Sequence, residues 1–239
     1  MEDLAALGTL GPFFAVHAHR PGDEPAAPWR PLEELTRPPG LRARIGVVRG
    51  ALAARAGRPA SGIELRVAAS VAQLALVARL VAPALAAQAA QHPLDLRLSG
   101  LWGQDAPGGP LPLSVPEPAA DVAAAPGRPP DASITLLDEV ITQITVTTGT
   151  LAPVSPRVLW GNVASAVNGA ASQLAVARPD LAAAAWATAA TFFRHPRLGT
   201  EPGPPGPSFR RSSCCLIYRL APGTGSICGD CVLAGRERR

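Results

Sequence analysis

The residues most able to do chemistry are four cysteines, Cys214, Cys215, Cys228 and Cys231, and they are all the cysteines in the 239-residue chain. They are spaced C-C-x12-C-x2-C. Buried core thiols do not cluster in this way, so ligation or redox chemistry is the expected use. A disulfide between the vicinal pair is the weakest option. Neighbouring Cα atoms lie about 3.8 Å apart, below the roughly 4.4–6.8 Å range that disulfides span. Zinc is a serious alternative, because Cys228-Gly229-Asp230-Cys231 fits one C-x2-C knuckle and an all-cysteine zinc site takes two such knuckles. Cys214-Cys215 does not fit the second knuckle, since adjacent side chains diverge from a single ion. A 2Fe-2S cluster relaxes that demand by offering four thiolate positions on two irons. On chemistry alone, iron–sulfur leads, with zinc behind it and a use without metal last.

The run R-R-S-S-C-C-L-I-Y-R, followed by C-G-D-C, resembles the C-terminal motif of the FhuF-type ferric-siderophore reductases over residues 210–231. A weaker resemblance extends to R-V-L-W-G-N-V-A-S-A at 157–166 and to the Ala-rich stretch from Leu65. Two departures from the family pattern stand out: a spacer of 12 residues where the family has 10, and Val232 where Pro is frequent. The extra length falls in A-P-G-T-G-S, a turn-forming stretch that absorbs insertion cheaply. The resemblance implies one 2Fe-2S cluster per chain, held by Cys214, Cys215, Cys228 and Cys231. It implies an oxidoreductase that reduces siderophore iron to Fe(II) for intracellular release, with no catalytic residue beyond the cluster. The implied partners are a ferric siderophore and an electron donor, such as an acidic ferredoxin-like protein. Two other readings stay open: a zinc-stapled binding module, and an iron–sulfur sensor or carrier with no siderophore substrate.

With both irons ferric, such a cluster and its thiolates carry a formal charge of about −2, and about −3 after one electron; nearby positive charge raises the potential. Arg210, Arg211 and Arg219 bracket the vicinal pair and are candidates for tuning it or for contacting partner or substrate. Tyr218 is a candidate shield or contact beside them. Other signals are weak. His17-x-His19 would bind metal only on a strand, and Gly223-x-Gly225 lacks the third glycine of a nucleotide loop. His92 and His195 both precede proline at element ends.

The cysteines need a body to hold them. Hydrophobic residues form 47 % of the chain and aromatics only 4 %, which points to helices packed through small residues. There is no lysine, so all 22 basic residues are Arg. From Arg194 onward, eight Arg face three acids, so the positive field sits on the cysteine-bearing end. That field attracts anions, yet it is too sparse and too poor in aromatics for a nucleic-acid site. The expected fold class is mainly α: a bundle-like helical body over 1–194, a Pro/Gly-rich linker or strap over 195–208, and a cluster-binding segment over 209–239. Helices are expected over 41–56, from a Ser61 cap to about Gln91 with a bend near Pro83, and over 133–147, 156–176 and 179–194. The alternating run Leu94–Leu98 and the run Leu111–Val115 predict a small β-hairpin. Residues 116–132 read as loop. The apolar stretch Val67–Leu85 is broken by Gln73, Arg79 and Pro83, so it is expected to be a buried helix and not a membrane span. No targeting signal is visible. The expected location is the cytoplasm, with a peripheral position at the inner membrane face as its variant.

Overall fold

The computed structural model describes residues 2–106, 109–117, 132–199, 201, 203–220 and 227–233. The expected loop at 116–132 falls largely outside the described residues, as do the inserted A-P-G-T-G-S stretch and Gly223-x-Gly225. The chain runs α1 (Glu2–Thr9), β1 (His17–His19), β2 (Arg30–Pro31), α2 (Leu32–Thr36), α3 (Pro38–Arg55) and α4 (Leu65–Ala89). It continues through β3 (Trp102–Gly103), β4 (Leu113–Pro116) and α5 (Ala132–Thr135), with a π-helical stretch over Leu136–Ile141. Then come α6 (Thr142–Leu151), α7 (Pro156–Ala177) and α8 (Ala182–Phe193). The class is mainly helical with a small sheet, as the composition predicts.

The centre of the molecule is α4, with α7 packed along it and α3 and α8 flanking. Small residues permit this close approach: Ala68, Ala69 and Ala72 on α4 and Ala164, Ala170 and Ala171 on α7 are all buried. Among the described residues α4 alone is long and apolar enough to cross a membrane, and 78 % of that window is buried inside the protein. It is a core helix, as its interrupting Gln73, Arg79 and Pro83 suggest. A helix that is apolar on all sides must be covered on all sides. α7 begins where its sequence says it should. Ser155 caps it by accepting the Arg157 N–H at 3.2 Å, and Pro156 supplies the first helical residue.

Two expectations are corrected. Ser61 is not the cap of α4: residues Ala60–Gly62 form a 3-10 turn and Glu64 takes the capping position. The hairpin becomes a four-stranded sheet in the order β1-β4-β3-β2. The run Leu111–Val115 does lead into β4, but Leu94–Leu98 is not a strand. Its alternation is real, since Leu94 and Leu96 are buried. The ladder positions it would need are taken, because β4 pairs with β1 and β3 with β2. Arg79 fastens this sheet to α4. Nearly fully buried, it donates to the carbonyls of Leu111, Phe13 and Ala15. Burial lowers its pKa to about 10, so it stays charged at neutral pH.

Candidate metal centre

The described residues of the stretch after α8 are anchored to the helical body. The start of the stretch lies on α7, where the His195 ring stacks on Trp160 at 5.8 Å and the Arg197 guanidinium sits 5.7 Å from the same ring. Leu198 and Phe209 enter the core, and Phe209 meets Phe193 edge-on. Gly206 N donates to Asn168 Oδ1 at 2.8 Å. The Glu201 carboxylate accepts both the Ser212 N–H (2.6 Å) and the Ser212 hydroxyl (3.0 Å). Prolines and glycines forbid a helix here, and side-chain anchors take its place.

The strap delivers the cysteine segment to α4 and α7, and there three polar residues stand inside otherwise apolar helices. Asn162 of α7 donates to Ser70 O (3.0 Å), Ser70 Oγ (3.1 Å) and Gln73 Oε1 (2.9 Å). Ser70 Oγ donates in turn to the main-chain carbonyl of Cys215 at 2.9 Å. Asn162 Oδ1 accepts Arg211 Nη2 at 2.6 Å, and Arg211 Nε donates to Ser213 O at 2.5 Å. Ser213 Oγ donates to Arg157 O at 3.0 Å. All of Ser70, Gln73, Asn162 and Arg211 are buried, so a hydrogen-bonded network of this kind favours one arrangement; within it Arg211 Nη1 alone is buried without a partner. Gly161 makes the approach possible. A Cβ there would lie 2.2 Å from Ser213 Oγ.

The four cysteines cluster in the C-terminal segment, where Cys215 and Cys228 come into contact. Cys215 and Cys231 are buried, while Cys214 and Cys228 are half-buried. Two thiolates bound about 2.3 Å from one tetrahedral metal stand about 3.7 Å apart, and Cys215 Sγ and Cys228 Sγ are 3.7 Å apart. Cys214 Sγ accepts the Leu216 N–H at 3.3 Å, and Cys231 Sγ accepts the Leu233 N–H at 3.4 Å. The first of these contacts requires Leu216 at φ +72°, a left-handed conformation rare for a bulky residue. Such strain concentrates at functional sites. In the knuckle, Cys231 N donates to Cys228 O at 3.0 Å, and Arg211 N donates to Asp230 O at 3.1 Å. The hydrogen bond from Cys228 lowers the Cys215 thiol to about 6, and the same bond together with burial raises Cys228. Burial raises Cys214. Among the described residues no three His, Cys, Asp or Glu side chains converge as a single-ion site requires. Four thiols, two of them at one-metal separation and two accepting main-chain N–H groups, suit a 2Fe-2S cluster.

The arginines separate in role. Arg211 is 1 % exposed, so it lies inside the protein and makes no surface contact. Arg210 is exposed and donates to Phe209 O. Arg219 Nε pairs with Glu64 Oε1 at 2.6 Å, tying the turn after the vicinal cysteines to the start of α4. That bond, and then one from Arg66, holds the Glu64 carboxyl below its usual range. Tyr218 is half-buried in the same turn, Ile217–Leu220. The two weak histidines are on a strand, as metal binding would require, but each is otherwise engaged. His17 lies edge-on to Trp29, and His19 Nδ1 bonds Ser114 Oγ at 2.8 Å. Sequence reasoning had no cue for Ser70 or Glu201, and read Gln73 only as an interruption of an apolar helix. Gly161 and Asn162 were signalled only by the resemblance at 157–166.

No curated protein matches the chain significantly. Residues 211–233 match the family model of the FhuF 2Fe-2S C-terminal domain. This interval takes in the vicinal pair, the knuckle and the buried Arg211, and it shows a C-terminal segment similar to the FhuF-type 2Fe-2S domain, which supports a 2Fe-2S cluster in this chain.

Proposed function

We propose that the protein reduces iron held in a ferric siderophore, one electron at a time, drawing on a cytoplasmic donor such as an acidic ferredoxin-like protein. The observation that carries this reading is the FhuF-type domain at residues 211–233. When bound, the cluster supplies a one-electron store. Cys214, Cys215, Cys228 and Cys231 hold it, and the half-buried Cys214 and Cys228 lie on the side nearer solvent. Siderophores grip Fe(III) with hard oxygen donors, and reduction to the softer Fe(II) loosens that grip. Release therefore needs an electron and no acid, base or nucleophile. Arg210, exposed beside the site, attracts an anionic chelate or an acidic donor.

The test is anaerobic stopped-flow mixing of the dithionite-reduced protein, freed of excess dithionite, with ferric hydroxamate and ferric catecholate chelates. Reoxidation should rise with chelate concentration, and a ferrous-specific chromogenic ligand should capture one Fe(II) per electron. Reoxidation no faster than in buffer with either chelate would refute the reductase reading and leave an electron carrier or sensor.

A further inference from the structure

We propose that Arg211 is the internal counter-charge of the cluster, a positioning residue that sets its potential through a fixed buried cation. The inference rests on the cluster and is independent of what the cluster reduces.

Arg211 is among the largest fully buried side chains of the protein. A buried cation is costly unless a negative group answers it. Its described partners are neutral: Nε bonds the Ser213 carbonyl and Nη2 the Asn162 amide oxygen. Nη1 is buried with no hydrogen-bond partner, and among the described residues no carboxylate lies within 4.0 Å. Asn162 and Ser213 leave the guanidinium little room to move, because Asn162 is itself fixed by Ser70 and Gln73. The carbonyl that Nε grips belongs to the residue before Cys214, and the Arg211 N–H grips the carbonyl of the residue before Cys231. The unanswered cation is therefore tied to both halves of the cysteine motif. The group that answers it is the net negative charge that four thiolates and their irons bring. Asp230, whose Oδ2 is also buried without a partner, answers part of that charge from the knuckle side without reaching hydrogen-bond distance of the guanidinium, and the cluster supplies the rest. Since reduction makes the site more negative, a fixed cation favours the reduced form.

The experiment is a spectroelectrochemical titration of the anaerobic protein, comparing wild type with Arg211→Gln, Arg211→Lys and the exposed control Arg210→Gln, with iron and sulfide counted in each. Arg211→Gln should shift the reduced-to-oxidised ratio at fixed applied potential by about tenfold toward oxidised, which is 59 mV for a one-electron couple. Arg211→Lys should keep most of the wild-type potential, and Arg210→Gln should shift the ratio less than twofold. Loss of the cluster from Arg211→Gln but not from Arg211→Lys would be the same charge requirement expressed at assembly. A titration of Arg211→Gln within twofold of wild type would overturn the proposal. So would equal shifts, or equal cluster loss, in the Gln and Lys variants, because those outcomes assign Arg211 a role of shape and not charge.

Discussion

Replacing Gly161 by Ala sets two effects of known sign against each other. In the interior of α7 the substitution should help, since Ala exceeds Gly by about 0.8–1.0 kcal/mol in a helix. Here the new methyl would sit 2.2 Å from Ser213 Oγ, more than 1 Å inside the roughly 3.5 Å of ordinary contact. The other neighbours, Arg211 Nη2 at 3.5 Å and Glu201 Oε1 at 3.6 Å, tolerate it. Ser213 must therefore rotate or retreat, giving up its 3.0 Å bond to Arg157 O. Leaving such a buried group unpaired costs about 1–3 kcal/mol. Gly161→Ala should thus be destabilised by up to about 2 kcal/mol and should lose cluster. Ser213→Ala alone should cost about 1 kcal/mol. The double variant keeps the helix gain without the clash and should return near wild type, a coupling of up to about 3 kcal/mol. Chemical unfolding of the anaerobic holoprotein, with iron and sulfide counted per chain, measures all four corners. Additivity within about 0.3 kcal/mol, or a Gly161→Ala protein more stable than wild type with its full cluster, would refute this account of how the segment seats on α7.

Four further outcomes are expected. Elemental analysis of anaerobic protein should give about two irons and two labile sulfides per chain, and Cys228→Ser should abolish or shift the cluster spectrum; one zinc and no colour would restore the structural-staple reading. Leu216→Gly should retain the cluster because glycine accepts the left-handed conformation, whereas Leu216→Val should lose it; equal retention would remove the N–H-to-sulfur contact from the account. Arg79→Met orphans three carbonyls and should cost about 3 kcal/mol, lowering Tm by about 6–12 °C, with a fall under 2 °C counting against it. Glu64→Gln should lower Tm modestly at pH 7 and low salt. Because the folded Glu64 pKa is lowered, its contribution is present above the usual carboxylate range and fades as pH falls through the folded value. The gap between variant and wild type should therefore close in acid and in high salt, and a gap insensitive to both would disprove the Arg219 tether.

The sequence announces some parts of this site and hides others, for physical reasons. Cysteine has few uses, so four of them at metal-ligand spacing are conspicuous. The long helices are legible because α4 and α7 are apolar over many turns. Leu94–Leu98 misleads because alternation reports which face is buried and not whether a neighbouring strand is free to pair. Ser61 misleads because a capping sequence works only where the chain turns into the helix, and a 3-10 turn intervenes. Ser70 and Gln73 are illegible because they are single polar residues in an apolar helix, which reads as noise until their partners arrive from about 90 residues away in sequence. Arg211 misleads most. An arginine between Arg210 and Ser212 near a charged terminus reads as surface, and only the fold shows that it points inward.

The hydrogen bonds divide the cysteine segment into two unequal halves. The vicinal half is fastened to the body by groups that are not sulfur: Glu201 to Ser212, Ser213 to Arg157, Ser70 to the carbonyl of Cys215, and Arg219 to Glu64. The hydrogen bonds described for 227–233 run instead within the knuckle itself or to Arg211 and Cys215. Folding of the helical body alone thus presets Cys214 and Cys215, and the knuckle then closes on them with the spacer between as a free variable. A spacer of 12 residues fits this division. Each extra residue costs little loop-closure entropy, and the described start of the spacer, through Leu216 and Arg219, belongs with the vicinal half. The body fixes the vicinal cysteine pair, and Arg211 spans both cysteine pairs through Ser213 and Asp230.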